Sequence, residues 1–135
     1  MPATDDVPPT VPDRLFEMSY AAPGDLAGIR AFVRAHAGDL GLPEPRADLL
    51  TLAVSELATN TLQHTTGGGQ VRLHAAPGRL LCDVIDQGPM RSIGRAMPAA
   101  DALRGRGLAI VERLCDDVGI TAEDGGTRVR LTLLL

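Results

Sequence analysis

The feature that most restricts this chain is a change of hydrophobic period near its middle. From Leu26 to His64 the apolar residues recur at helical spacing, and from Val71 to Asp86 they recur at every second position. A period near 3.6 gathers apolar side chains on one stripe of a helix, and a period of two gathers them on one face of a strand. Leu26, Ile29, Val33 and Ala37 therefore predict a first helix, ending in the loop from Gly38 to Pro45. Leu50, Ala53, Val54, Leu57, Ala58 and Thr61 predict a second over about Arg46 to His64, stopped by the triple glycine Gly67 to Gly69. Ahead of both, Leu15, Glu17 and Ser19 alternate with Phe16, Met18 and Tyr20, so Arg14 to Tyr20 reads as a strand before the breaker Pro23-Gly24.

Beyond the switch, Val71, Leu73 and Ala75 alternate with Arg72 and His74, Pro77-Gly78 turns the chain, and Arg79 to Asp86 returns as a hairpin partner. Gln87 to Arg104 carries two prolines, two glycines and three arginines without a period, the character of a mobile loop. Leu108 to Asp116 is a short amphipathic helix opened by Gly105-Arg106-Gly107. Ile120 to Glu123 and Thr127 to Leu135 form a last hairpin around Asp124-Gly125-Gly126, with Val129, Leu131 and Leu133 alternating against Arg128, Arg130 and Thr132. No internal repeat is visible. Hairpins kept apart from helices predict an α+β two-layer sandwich: a mixed, largely antiparallel sheet covered on one face by three helices. A doubly wound parallel sheet would need strands and helices to alternate. At 135 residues the chain matches a single domain. That domain is expected over 14–135, behind a flexible tail at 1–13 that holds four prolines.

Composition removes several classes of function. The basic residues are all arginine, so no Schiff-base lysine, P-loop lysine or lysine general base exists. A net charge of -4 and a pI near 5.2 lack the electrostatic footprint of a nucleic-acid-binding module. With no Trp, one Tyr and two Phe there is also no stacking platform for single strands. No apolar run is long enough to span a bilayer, and the acidic, proline-rich start is unlike a signal peptide, so a cytoplasmic protein is expected. Cys82 and Cys115 have no CxxC spacing and read as two reduced, partly buried thiols.

Three places could carry chemistry. On the second helix, Glu56, Asn60 and His64 lie one turn apart at the margin of the apolar stripe. They are either a solvated face, with His64 meeting the helix dipole, or a carboxylate and an amide that share a Mg²⁺, or one ligand beside one base. Asp86-Gln87-Gly88-Pro89 closes a hydrophobic strand. Asp86 either starts a turn or accepts a hydrogen bond from a ligand amine, with Gly88 letting a ring approach the backbone. Gly105-Arg106-Gly107-Leu108 is either a plain loop-to-helix cap or an anion site of exposed amides, to which Arg104 and Arg106 would add charge.

In order and spacing, ELATNTLQH (Glu56 to His64), DQGP (Asp86 to Pro89) and GRGLAIVERLCD (Gly105 to Asp116) resemble the N, G1 and G2 boxes of the Bergerat-type ATPase fold of gyrase, heat-shock chaperones and histidine kinases. Within this GHKL group the chain looks most like the small stand-alone ATP-binding proteins related to anti-sigma-factor serine/threonine kinases, over about Arg14 to Leu135. The resemblance implies that Asn60 holds Mg²⁺ against ATP and that Glu56 is the general base. It implies that Asp86 accepts from the adenine amino group with Gly88 giving the purine room. Gly105, Arg106, Gly107 and Leu108 would offer amides to the phosphates under a lid from Gln87 to Arg104. The second glycine of the family's G1 box is absent, since Pro89 and Met90 follow Gly88. No two-helix segment with an acceptor histidine is found ahead of the N box, so histidine autophosphorylation is not expected of this chain alone.

The expected function is that of an ATP-Mg²⁺-dependent serine/threonine kinase or switch, a transcription regulator that phosphorylates a small antagonist protein and sequesters a sigma-like factor. It would bind neither nucleic acid nor membrane directly, and pairing into a homodimer is compatible with the family. The alternative is a non-catalytic protein-binding module, nucleotide-gated or nucleotide-free. A third reading, ATP hydrolysis driving a conformational cycle, fits less well without the further domains of such machines.

Overall fold

The computed structural model describes residues 15–64, 67–86, 111, 113–123 and 126–135. Strand β1 (Leu15–Tyr20) leads through a 3-10 turn at Pro23–Asp25 into helices α1 (Leu26–Asp39) and α2 (Glu44–His64). Strands β2 (Gly69–Ala76), β3 (Arg79–Asp86), β4 (Asp117–Glu123) and β5 (Gly126–Leu134) follow. Asp25 shapes the entry to α1: its Oδ2 accepts the Ala21 and Ala22 N–H groups at 2.8 and 3.1 Å. Before β4, Val111, Arg113 and Leu114 are helical, and the Cys115 N–H closes that turn on the Val111 carbonyl at 2.8 Å. The expected tail at 1–13 and the loop from Gln87 to Arg104 lie outside the described residues.

The five strands form one sheet in the order β1-β2-β3-β5-β4, and all four pairings are antiparallel. Both helices lie over β1, β2 and β3 on one face. The periodic residues meet there as expected: Ile29, Val33 and Ala37 of α1 and Leu50, Ala53, Val54, Leu57 and Ala58 of α2 are buried. They pack with Val71, Leu73, Leu80, Cys82, Val84, Val129, Leu131 and Leu133 in one core. His36 stacks on Phe16 with ring centroids 4.0 Å apart, joining α1 to β1. Cys82 and Cys115 are both free thiols, and burial pushes their pKa values up, Cys115 to about 12.

Two element boundaries differ from the periodic reading. Helix α2 begins at Glu44, before Arg46, because Pro45 falls in the first turn, where its missing N–H costs no helical bond. Strand β4 begins at Asp117, before Ile120: Asp116 has already left the helix, with its N–H on the Thr132 carbonyl at 2.8 Å.

The face of the sheet away from the helices carries a row of alternating charge, Glu17, Arg72, Asp83 and Arg130, set side by side by the strand register. Arg130 grips Asp83 with two guanidinium nitrogens at 2.7 and 2.8 Å, and Arg72 lies 2.8 Å from Glu17. Asp83 is 1% exposed, and the bidentate hold by Arg130 offsets the cost of burying it.

Candidate functional site

At one end of the sheet, on the helix-covered face, the register places four residues in a row: Tyr20 on β1, Gly69 on β2, Asp86 on β3 and Thr127 on β5. Asp86 is half-buried at the end of its strand, and its Oδ1 accepts the Thr127 backbone N–H at 2.9 Å. That bond orients the carboxylate while leaving most of its acceptor capacity for other donors. Burial raises the Asp86 pKa above the ordinary carboxylate value, and the Thr127 bond pulls it partly back.

The close approach of the backbone on either side of Asp86 depends on two glycines. A Cβ on Gly69 would collide with the Ile85 carbonyl and stand 2.8 Å from Tyr20 Oη. A Cβ on Gly126 would collide with the Asp86 carbonyl and stand 2.8 Å from its Oδ1. No other residue type fits at either position without moving backbone.

Above the row runs the C-terminal half of α2. Thr61 is buried there, donating from Oγ1 to the Leu57 carbonyl at 3.2 Å, and it is close enough to Tyr20 to influence the phenol. Asn60 precedes it, and Glu56 lies one turn earlier, both half-buried at the core margin as the helical spacing predicts. The helix is anchored at its other end by Arg46, which donates to the Leu134 carbonyl at 2.7 Å and the Leu114 carbonyl at 3.3 Å. Asp116 completes this clamp, 3.6 Å from Arg46 and accepting the Leu134 N–H at 2.7 Å. Arg46 thus ties the start of α2 to the end of the third helical segment and to β5.

Of the sequence-predicted site residues, Glu56, Asn60 and Asp86 are described, on α2 and at the end of β3. Gly88, Gly105, Arg106, Gly107 and Leu108 lie outside the described residues, as does the side chain of His64. Periodicity reads Tyr20 only as a strand residue and Gly69 only as a helix stop. Their place beside Asp86 follows from pairing between β1, β2 and β3, for which the one available signal is that Tyr20 and Asp86 each end a strand.

The model of the histidine kinase-like ATPase domain matches residues 20–133, from the tyrosine of this row to the last core leucine of β5. Among solved structures, the RsbU and RsbW domains of Rv1364c from Mycobacterium tuberculosis match with a TM-score of 0.67 and 23% identity. That alignment covers 90% of this chain and 32% of the other, so the chain spans about a third of that protein's solved length and shares its fold. None of the curated proteins matches. With two helices laid over an antiparallel sheet, and a half-buried aspartate at a strand end beneath α2, the chain belongs to the histidine kinase-like ATPase domain family.

Proposed function

We propose that the domain binds ATP with Mg²⁺ and transfers the γ-phosphoryl group to a serine or threonine of a small antagonist protein, as a switch of the anti-sigma-factor type. Family membership implies ATP binding. The observation that carries the reading is the row around Asp86: a half-buried carboxylate oriented by Thr127 and flanked by Gly69 and Gly126, whose bare backbone lies close against β3. A purine amine donating to Asp86 suits that chemistry. The resemblance of the three boxes to anti-sigma-factor kinases supports the class of partner.

The donors on α2 suit Mg²⁺, which prefers hard oxygen and takes only one or two protein ligands, the rest coming from phosphate and water. Asn60 would hold the ion through its amide oxygen; when bound, the ion neutralises triphosphate charge. Glu56, one turn away, takes the proton of the attacking hydroxyl. A bond forms from that oxygen to the γ-phosphorus as the bond to the β–γ bridging oxygen breaks and ADP leaves. Such transfer needs mainly positioning and charge neutralisation. On this reading Gly105, Arg106, Gly107 and Leu108 give backbone amides to the phosphates, and Gly88 leaves room for the purine ring.

Incubation with γ-labelled ATP, Mg²⁺ and a candidate antagonist tests the reading. Label is expected on a serine or threonine of the antagonist, and Glu56→Gln is expected to bind ATP at unchanged affinity while transfer falls by at least about a hundredfold. If the wild-type chain holds ATP and holds the antagonist but transfers nothing, the domain is a binding module and the kinase assignment is wrong.

A further inference from the structure

We infer that Tyr20 is a specificity-determining residue of the nucleotide site, its hydroxyl donating to an acceptor nitrogen of the base whose amine faces Asp86. The inference rests on the ATP reading above and adds to it a residue outside the three boxes.

Tyr20 is 3% exposed, and its Oη has no hydrogen-bond partner among the described residues. Native interiors seldom leave a buried hydroxyl unpaired, and the exceptions cluster where a ligand or water completes the set. Thr61 approaches the phenol from α2 and gives its own proton to the Leu57 carbonyl, so towards Tyr20 its Oγ1 can act only as an acceptor, which a ligand nitrogen would replace.

The hydroxyl is also aimed. Gly69 stands between Tyr20 and Asp86 in the row, and Oη lies only 2.8 Å from where a Gly69 Cβ would be. The phenol therefore reaches across the bare strand β2 towards Asp86, whose charge it feels. Burial pushes the Tyr20 pKa up to about 12, with Thr61 easing it and Asp86 adding to it, so at neutral pH the group keeps its proton.

This end of the sheet thus presents a carboxylate acceptor and a phenol donor on one face, separated by the side-chain-free Gly69. Its complement is a base edge with a donor beside an acceptor, which adenine offers as its exocyclic amine flanked by ring nitrogens N1 and N7. The contact is made directly or through one ordered water. A Tyr→Phe change keeps the ring and its packing and removes only the hydroxyl.

Calorimetric titration of the wild-type and Tyr20→Phe proteins with Mg²⁺ and ATP, 1-deaza-ATP or 7-deaza-ATP tests this. Tyr20→Phe is expected to bind ATP about tenfold more weakly, the loss of one hydrogen bond, while the melting temperature without nucleotide stays level or rises. One of the two deaza analogues is expected to lose the same factor against the wild-type protein and nothing further against Tyr20→Phe, because the two changes remove the same contact. Equal ATP affinity in the two proteins, or the same analogue penalties in both, overturns the inference while leaving the ATP reading intact. Failure of the wild-type protein to bind ATP overturns both, and is seen before the variant is made.

Discussion

Asp86 occupies a position that burial makes costly for a charge. Its folded-state pKa lies above the ordinary value of 3.8, with desolvation the larger cause and the Thr127 hydrogen bond opposing it. A carboxyl whose pKa is raised by folding works against the folded state once pH climbs past the unfolded value, and adds nothing against it below. Asp86→Asn, which can still accept from Thr127, should leave the nucleotide-free protein at least as stable at neutral pH, with the difference closing below about pH 4 in thermal scans. The strand-end aspartate was legible in the sequence because Val84, Ile85 and Asp86 run straight into a turn signal. Tyr20 and Gly69 were not, since what joins residues 20, 69 and 86 is a register, and no local pattern encodes which rungs of separate strands come to lie side by side.

Among the elements, the outer face of the sheet makes its own prediction. His74 lies 3.7 Å from Asp83 on that face, and burial lowers its pKa below the ordinary 6.5 despite the attraction of Asp83, with Arg130 and Arg72 pushing the same way as burial. The folded state therefore holds a neutral imidazole, and it loses stability as pH falls from 6.5 through the lower folded value, where the unfolded chain binds the proton first. Denaturant midpoints measured between about pH 7.5 and 5 should fall less steeply in His74→Gln than in the wild-type protein. The Arg46 clamp joins three elements with charge-assisted hydrogen bonds to carbonyls, a type worth roughly 1.5–3 kcal/mol each when well made. The arginine is one-third exposed, which weakens that figure. Arg46→Ala should cost about 1–2 kcal/mol in chemical denaturation and also weaken ATP binding, because it frees α2 from the third helical segment. Helix and strand types were readable from period alone. The boundaries at Glu44 and Asp117 were not: Pro45 reads as a breaker although a first helical turn tolerates it, and the start of the edge strand is decided by its pairing with β5.

For the whole molecule, the segregation of helical from alternating segments was enough to place the chain in a two-layer α+β architecture with its helices on one face. Neither described helix is long and apolar enough to cross a membrane. The strand order was beyond the sequence: β5 inserts between β3 and β4, and what selects that neighbour is tertiary. Val129, Leu131 and Leu133 share the core with β3, and Arg130 reaches Asp83 across the ladder. That insertion brings Thr127 beside Asp86 and so completes the row on which the nucleotide reading depends. The most direct measurement is calorimetric titration of the wild-type and Asp86→Asn proteins with ATP and Mg²⁺. The account predicts saturable, one-site binding to the wild-type protein and a loss of roughly tenfold to a hundredfold in Asp86→Asn, the range expected for a hydrogen bond to a charged group. Equal affinity in the two proteins would contradict it.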